Sequence, residues 1–350
     1  MYTKPPKKML IINILDILKR YTDENHRLSQ KEIIDILAQE YDMKVDRKAV
    51  KRNLLNLIDY GYDIEYSESI RTNKNGEEEI IYTNWYLERG FSDAELRLLI
   101  DGLLFSKYIP YSQCKELIEK LEGLSNRYFK SRVKHISTMP DNTPENKQLF
   151  YTIEVIDNAI TKGKQVVFHY NEYGTDKKLH PRKNGEGEER EYIMNPYQMA
   201  AVNGRYYLIC NYDKYDNVSN YRLDRITDIK ISNTPVKPMS RVKGLEKGLN
   251  IPKHMAEHVY MFAGESVPVT FRAKKYLVSE VIDWFGKDIQ FLSESAEEVT
   301  ARVTVNLEAM RKWVLQYAVH VKVLSPKRLV DMVKEDIGKA MEQYQEGENE

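Results

Sequence analysis

The chain has 350 residues, of which 53 are Lys or Arg and 53 are Asp or Glu, so its formal net charge is zero. With 42% hydrophobic and 30% charged residues it has the composition of a folded protein of two or three domains, which excludes a disordered chain. No apolar run reaches the ~18–20 residues of a membrane span, no apolar core of a signal peptide follows MYTKPPKKML, and Cys114 and Cys210 are too few for a disulfide framework or a four-ligand zinc site, so a reduced, cytoplasmic protein is expected.

Net neutrality leaves a nucleic-acid partner open, because binding depends on where charge sits. Met9–Tyr21 reads as a helix, with Leu10, Ile14, Leu15, Ile17 and Leu18 on one stripe. Ser29 opens a second through the capping box Ser29-x-x-Glu32. Asp46 is the expected N-cap of a third helix that Gly61 stops. Val50, Leu54, Leu57 and Ile58 share one face of it, Lys48 and Arg52 point nearly opposite, and Lys51 lies on the flank. Two β-type stretches, Asp63–Glu68 and Glu79–Tyr86, then flank a polar tip with Arg71, Lys74 and the turn dipeptide Asn75-Gly76.

Alone, such cations are the solvated face of a surface helix. Helix, capped helix, basic helix, glycine and hairpin in that order predict a winged helix-turn-helix, whose third helix enters the major groove of DNA. The region resembles DeoR-type winged domains, with Arg47, Lys48, Lys51, Arg52 and Asn53 in the recognition stretch ahead of Leu54, Leu57 and Gly61. Arg71 and Lys74 are the expected wing contacts, and the first domain is placed at residues 1–90.

Ser92-x-x-Glu95 is a second capping box, followed by Leu96, Leu99, Ile100, Leu103 and Leu104 at helical spacing. A further helix is expected from Ser112 to about Phe129, and the polar, proline-bearing stretch Pro140–Asn146 reads as a linker. This helical connector (91–147) packs on a neighbouring domain or pairs with a second protomer. A homodimer suits a DNA reader because one short helix contacts only a few base pairs.

A helix from Phe150 to Lys162 precedes five expected strands: Gln165–Tyr170, Glu191–Ala201, Arg205–Cys210, Asn220–Ile226 and Asp228–Ser232. Turn chemistry separates them, and five short strands after one helix suggest a small bent sheet or barrel. Gln165–Tyr170, His180-Pro181-Arg182, Asn195-Pro196-Tyr197, Gly204–Leu208 and Tyr221–Ile226 resemble the WYL domain in order and spacing; its name-giving Trp-Tyr-Leu stands here as Tyr206-Tyr207-Leu208. The resemblance implies an Sm-like five-stranded β-barrel (148–236) that senses a nucleic-acid or nucleotide-like effector. Period-two alternation would put Arg222 and Asp224 on one strand face and Tyr221, Leu223 and Arg225 on the other, one arginine paired with the acid and one open to an anion. The candidate effector residues are His169, Tyr170, Arg205, Tyr206, Arg222 and Arg225.

Residues 237–262 read as a basic, solvated linker carrying Lys237, Arg241, Lys243, Lys247 and Lys253. From residue 263 the order of expected elements is βαββαβ with a final helix, a ferredoxin-like arrangement. Val267–Ala273, Asp283–Gly286 and Glu308–Leu329 resemble the C-terminal extension of WYL regulators. Trp313, on a face with Met310 and Tyr317, is expected in its core.

The expected whole is an α+β multidomain regulator, not an enzyme: there is no Gly-rich phosphate loop, no G-x-S-x-G and no H-E-x-x-H, and His254 and His258 lack a third metal ligand. No cofactor or metal is implied. The expected partners are double-stranded operator DNA, a single-stranded nucleic acid or nucleotide effector, and a second copy, with no membrane. The alternative is a single-stranded DNA- or RNA-binding accessory protein whose barrel is the main nucleic-acid site.

Overall fold

The computed structural model describes residues 7–72, 76, 78–106, 108–132 and 146–346. The chain divides into two compact units, 1–143 and 144–350.

In the first unit α1 (Leu10–Tyr21), α2 (Gln30–Tyr41) and α3 (Arg47–Tyr60) precede an antiparallel hairpin of β1 (Ile64–Thr72) and β2 (Glu78–Leu87). The ends form as their residues dictate. Ser29 and Glu32 make a reciprocal capping box, the Asp46 carboxylate accepts from the Ala49 amide at 2.7 Å, and Gly61 closes α3 at φ +112°, a backbone that disfavours any side chain. Ile14, Ile17, Ile33, Leu37, Val50, Leu54 and Trp85 bury one shared core. α4 (Asp93–Leu104) follows its own capping box at Ser92, and Leu96 and Ile100 bury against Phe129.

The single helix expected from Ser112 to Phe129 is instead two, α5 (Tyr111–Glu122) and α6 (Arg127–Arg132). Gly123 follows the last residue of α5, and Asn126 caps α6. Its side-chain oxygen accepts from the amides of Tyr128 and Phe129, while its amide group donates to the Thr22 carbonyl and the Asp23 carboxylate. Of the stretch expected as a linker only Asn146 is described, and it is buried, donating to the carbonyls of Asp224 and Ile226.

The second unit begins with α7 (Leu149–Lys162), then β3 (Lys164–Tyr173), β4 (Leu179–Pro181), β5 (Glu191–Val202), β6 (Arg205–Tyr212), β7 (Val218–Arg222) and β8 (Ile226–Pro235). The sheet order is β4-β3-β5-β6-β7, with β8 on the other side of β3, all antiparallel. The short β4 is additional to the expected strands. β7 stops at Arg222 and a single 3-10 turn, Leu223–Arg225, leads into β8, so strand alternation does not run through Asp224.

The expected solvated linker is packed. A 3-10 turn (Met239–Arg241) and α8 (Ile251–Glu257) form, Val242 and Leu245 bury against Tyr197, and Met261 buries against Ala200 and Ile209. Val242, Leu245 and Met261 outweigh its lysines because they meet apolar side chains of β5 and β6.

β9 (Ser266–Lys274), α9 (Val278–Phe285), β10 (Gln290–Glu294), β11 (Glu298–Asn306), α10 (Leu307–Gln316), β12 (Val321–Ser325) and α11 (Lys327–Glu346) complete the chain. Strand order is β10-β11-β9-β12, all antiparallel. The helices cover one sheet face, and Trp313 is fully buried against Phe271 and Phe285.

Candidate nucleic-acid and anion interfaces

The buried stripe of α3 (Val50, Leu54, Leu57) fixes which of its polar residues face water. Lys48 and Arg52 are exposed and make no ion pair or hydrogen bond among the described residues. The other three expected contacts are engaged: Arg47 Nε donates to Gln30 Oε1 at 2.9 Å, Lys51 Nζ lies 4.1 Å from the Tyr82 ring centroid, and Asn53 donates back to the Ala49 carbonyl. Lys51 therefore ties α3 to the hairpin. Asn56, exposed and four residues past Arg52, extends the outward row to Lys48–Arg52–Asn56. That residue was missed, although its i, i+4 spacing was available. On the hairpin, Arg71 is exposed but stands opposite Glu79 in the strand register. Lys74 and Asn75 lie outside the described residues.

In the second unit, aromatic side chains of β3, β5, β6 and β7 form a cluster. Tyr170 and Tyr221 meet edge to face at 4.8 Å, and Tyr192 lies 5.6 Å from Tyr221 and 5.7 Å from Tyr212. Burial pushes up the phenols of Tyr170 and Tyr221, keeping them neutral. Two arginines cover the cluster: Arg182 over Tyr170 at 5.3 Å, and Arg190 over Tyr192 at 4.7 Å and Tyr212 at 5.3 Å. Arg190 sits in a glutamate-rich turn that reads as a solvated loop, so only the fold exposes its role.

The two arginines around the 3-10 turn have different environments. Asp224 is fully buried, and Arg222 grips it with both arms of its fork, at 3.0 Å and 2.5 Å. Of the two arginines, Arg222 is therefore the one paired with the acid, through Nε and Nη2. Arg225 Nε is buried without a hydrogen-bond partner, and its guanidinium lies 5.9 Å from the Tyr173 ring centroid. A buried donor left without a partner costs free energy, and a guanidinium is the side chain that suits a planar anion.

The other candidates disperse. Tyr170 belongs to the turn, because its hydroxyl accepts from the Arg222 amide. His169 lies between the carboxylates of Glu189 at 3.7 Å and Asp228 at 3.6 Å. Arg205 sits at the β5–β6 hairpin opposite Val202, and Tyr206 opposite Ala201. Tyr207, not Tyr206, lies near Tyr170, Asp224 and Arg225, and burial lifts its phenol to about 12.

Among the described residues no three His, Cys, Asp or Glu side chains could hold a metal ion, and no helix is long and apolar enough to cross a membrane. Both cysteines are buried, and burial raises their thiols.

Comparison with family models matches residues 151–231 to the WYL domain and residues 265–341 to the WCX domain. No curated protein matches the chain. Among solved structures, "Proteasome accessory factor B/C (PafBC) of Arthrobacter aurescens" is 17% identical over 97% of this chain at a TM-score of 0.29, and this chain spans 49% of it. A structure described as a CRISPR Cas-related protein is 14% identical, covers 97% of this chain and 84% of its own, and has a TM-score of 0.38. Neither superposes closely enough to carry an argument about this chain.

Proposed function

Because this chain is a WYL-domain protein with a WCX domain behind the WYL domain, we propose that it is a non-enzymatic transcription regulator. In this reading residues 1–90 are a winged helix-turn-helix that binds operator DNA, 148–236 an Sm-like barrel that senses an anionic effector, and 263–350 a ferredoxin-like domain; DNA as its partner would place it in the cytoplasm. The exposed Leu98 of α4 and Phe105 just after it support the connector as a place where two copies pair.

The observation that carries the DNA reading is the Lys48–Arg52–Asn56 row, opposite the buried stripe of α3. Arg suits guanine and Asn suits adenine in the major groove, each good bidentate pair contributing about 1–3 kcal/mol. The test is selection of a binding sequence from random duplexes, followed by titration of the Arg52→Ala and Asn56→Ala variants. Relaxed specificity at one base position per variant is expected; unchanged affinity and specificity in both removes α3 from the groove.

Effector sensing rests on Arg225. A ligand moves an equilibrium only by its differential affinity for two states, so an effector bound at Arg225 should alter operator affinity in the native chain and not in Arg225→Gln. The second reading, a single-strand binder working through the barrel, is favoured by the arginine-covered tyrosines. It requires single strands to bind more tightly than duplex, with loss of that preference in Arg190→Gln.

A further inference from the structure

A cavity of about 1040 Å³ lies in the second unit, walled by the loop from Lys243 to Asn250, by α8 and by the chain entering β7 and β9. Its volume is at the upper end of the ~300–1,000 Å³ typical of small-molecule sites. Most of the wall comes from residues 243–264, which belong to neither matched segment, 151–231 or 265–341.

Two histidines line this cavity with acceptor nitrogens unfilled. His254 and His258 are each 8% exposed and stack at 4.1 Å. The Asn220 amide group donates to the Met261 carbonyl, so its oxygen accepts from Nε2–H of His254. The His254 carbonyl accepts from Nδ1–H of His258. Each neutral ring keeps one bare lone pair, on Nδ1 of His254 and on Nε2 of His258, with no hydrogen bond among the described residues. A buried acceptor without a donor costs free energy, which a ligand hydroxyl would recover.

The charges lining the cavity do not cancel. Glu257 pairs with Lys253 at 3.8 Å, and Glu265 with Arg328 at 2.9 Å. Glu246 accepts from the Gly244 amide and lies within electrostatic reach of Lys243 and Lys247. Both lysines are exposed and make no ion pair among the described residues. One acid against two lysines leaves one positive charge uncompensated. Val218, Leu245 and Leu249 supply an apolar wall beside them.

We propose that this cavity binds an aliphatic hydroxycarboxylic acid. The carboxylate meets Lys243 and Lys247, the hydroxyl donates to Nε2 at the tip of the His258 ring, and the chain lies along the three apolar side chains. A nucleotide fits poorly: no Phe, Tyr, Trp or Arg lines the cavity to stack a base or fork a phosphate. A single surplus charge suits a monoanion better than a phosphate dianion, and a zwitterionic amino acid brings no net charge to meet it. This site involves neither α3 nor Arg225 and stands apart from the operator and effector readings.

The test is isothermal titration calorimetry of the full chain with ω-hydroxydecanoate, beside decanoate, decanediol and ω-aminodecanoate. The hydroxy acid should bind about fivefold more tightly than decanoate, the scale of one neutral hydrogen bond. It should exceed the diol and the amino acid by about the same factor, the scale of exposed ion pairs. His258→Phe, which keeps a ring against His254, should remove the preference over decanoate and leave the preference over the diol. Lys243→Gln/Lys247→Gln should do the reverse, and as an exposed pair it keeps the test valid should His258→Phe misfold. No binding of ω-hydroxydecanoate up to about 1 mM overturns the proposal. Equal affinity for all four compounds, tighter binding of ω-aminodecanoate, preferences unchanged in the lysine variant, or loss of binding in Arg225→Gln each overturns it as well.

Discussion

Two arginines three residues apart show how little residue type decides by itself. Arg222 is matched to the buried Asp224 and Arg225 is not. Removing one member of a buried pair leaves the other charge uncompensated, at a cost of about 3–5 kcal/mol. Arg222→Ala should therefore lower the stability of the second unit by that order in urea unfolding, whereas Arg225→Ala should leave stability nearly unchanged and remove anion binding. The reverse outcome would exchange the two roles. His254 supplies a pH dependence. It stacks on His258 at 4.1 Å, bonds Asn220, and is held at about 4 by burial and by His258, against an ordinary ~6.5. Between those values the unfolded chain takes a proton that the folded chain refuses. The stability contributed is complete above pH ~6.5 and is lost as pH falls toward 4, by roughly 3 kcal/mol at most. Melting temperatures at neutral and acid pH should show this loss in the native chain and a smaller one in His254→Gln.

Among the elements, α3 depends most on local sequence. Its N-cap, stop and buried stripe are all its own residues, and Asp46→Ala should cost about 1 kcal/mol with an unchanged m-value, measured by urea unfolding of the full chain. A loss below a few tenths would mean that packing alone holds the helix end. The 3-10 turn after β7 is the opposite case. Nothing between Tyr221 and Ile226 breaks a strand pattern, yet the chain turns at Leu223–Arg225, where Asn146, far away in the chain, donates to the carbonyls of Asp224 and Ile226. Asn126, ahead of α6, is likewise held by bonds to Thr22 and Asp23. Both asparagines are fixed by partners far away in the chain, which periodicity does not register.

Across the whole molecule, zero net charge conceals a local concentration of cations, the outward row of α3. Duplex binding should therefore weaken steeply with salt, by about 0.9 log units per phosphate contact for each tenfold rise. Lys48→Ala should lower that slope by about one with little change in sequence preference, and a flat salt response in the native chain would exclude a phosphate-based contact. Net charge would miss this, since it sums over surfaces that never meet the same ligand.

The amino-acid sequence by itself determined the helix caps at Ser29, Asp46 and Ser92, the hydrophobic stripes, most of the order of strands and helices, and the WYL segment with its C-terminal extension, because each depends on residues within a few positions of one another. Lys48 and Arg52 were legible for the same reason: their exposure follows from the stripe opposite. Tertiary structure decided the rest. It spent Arg222 on Asp224, set His169 between two carboxylates, brought Arg190 from an acidic loop onto the tyrosines, and packed Val242 and Leu245 where a solvated linker was expected. Each outcome depends on a partner many residues away, and whether a charge or an apolar side chain is satisfied is a property of the pair, which one-dimensional spacing does not contain.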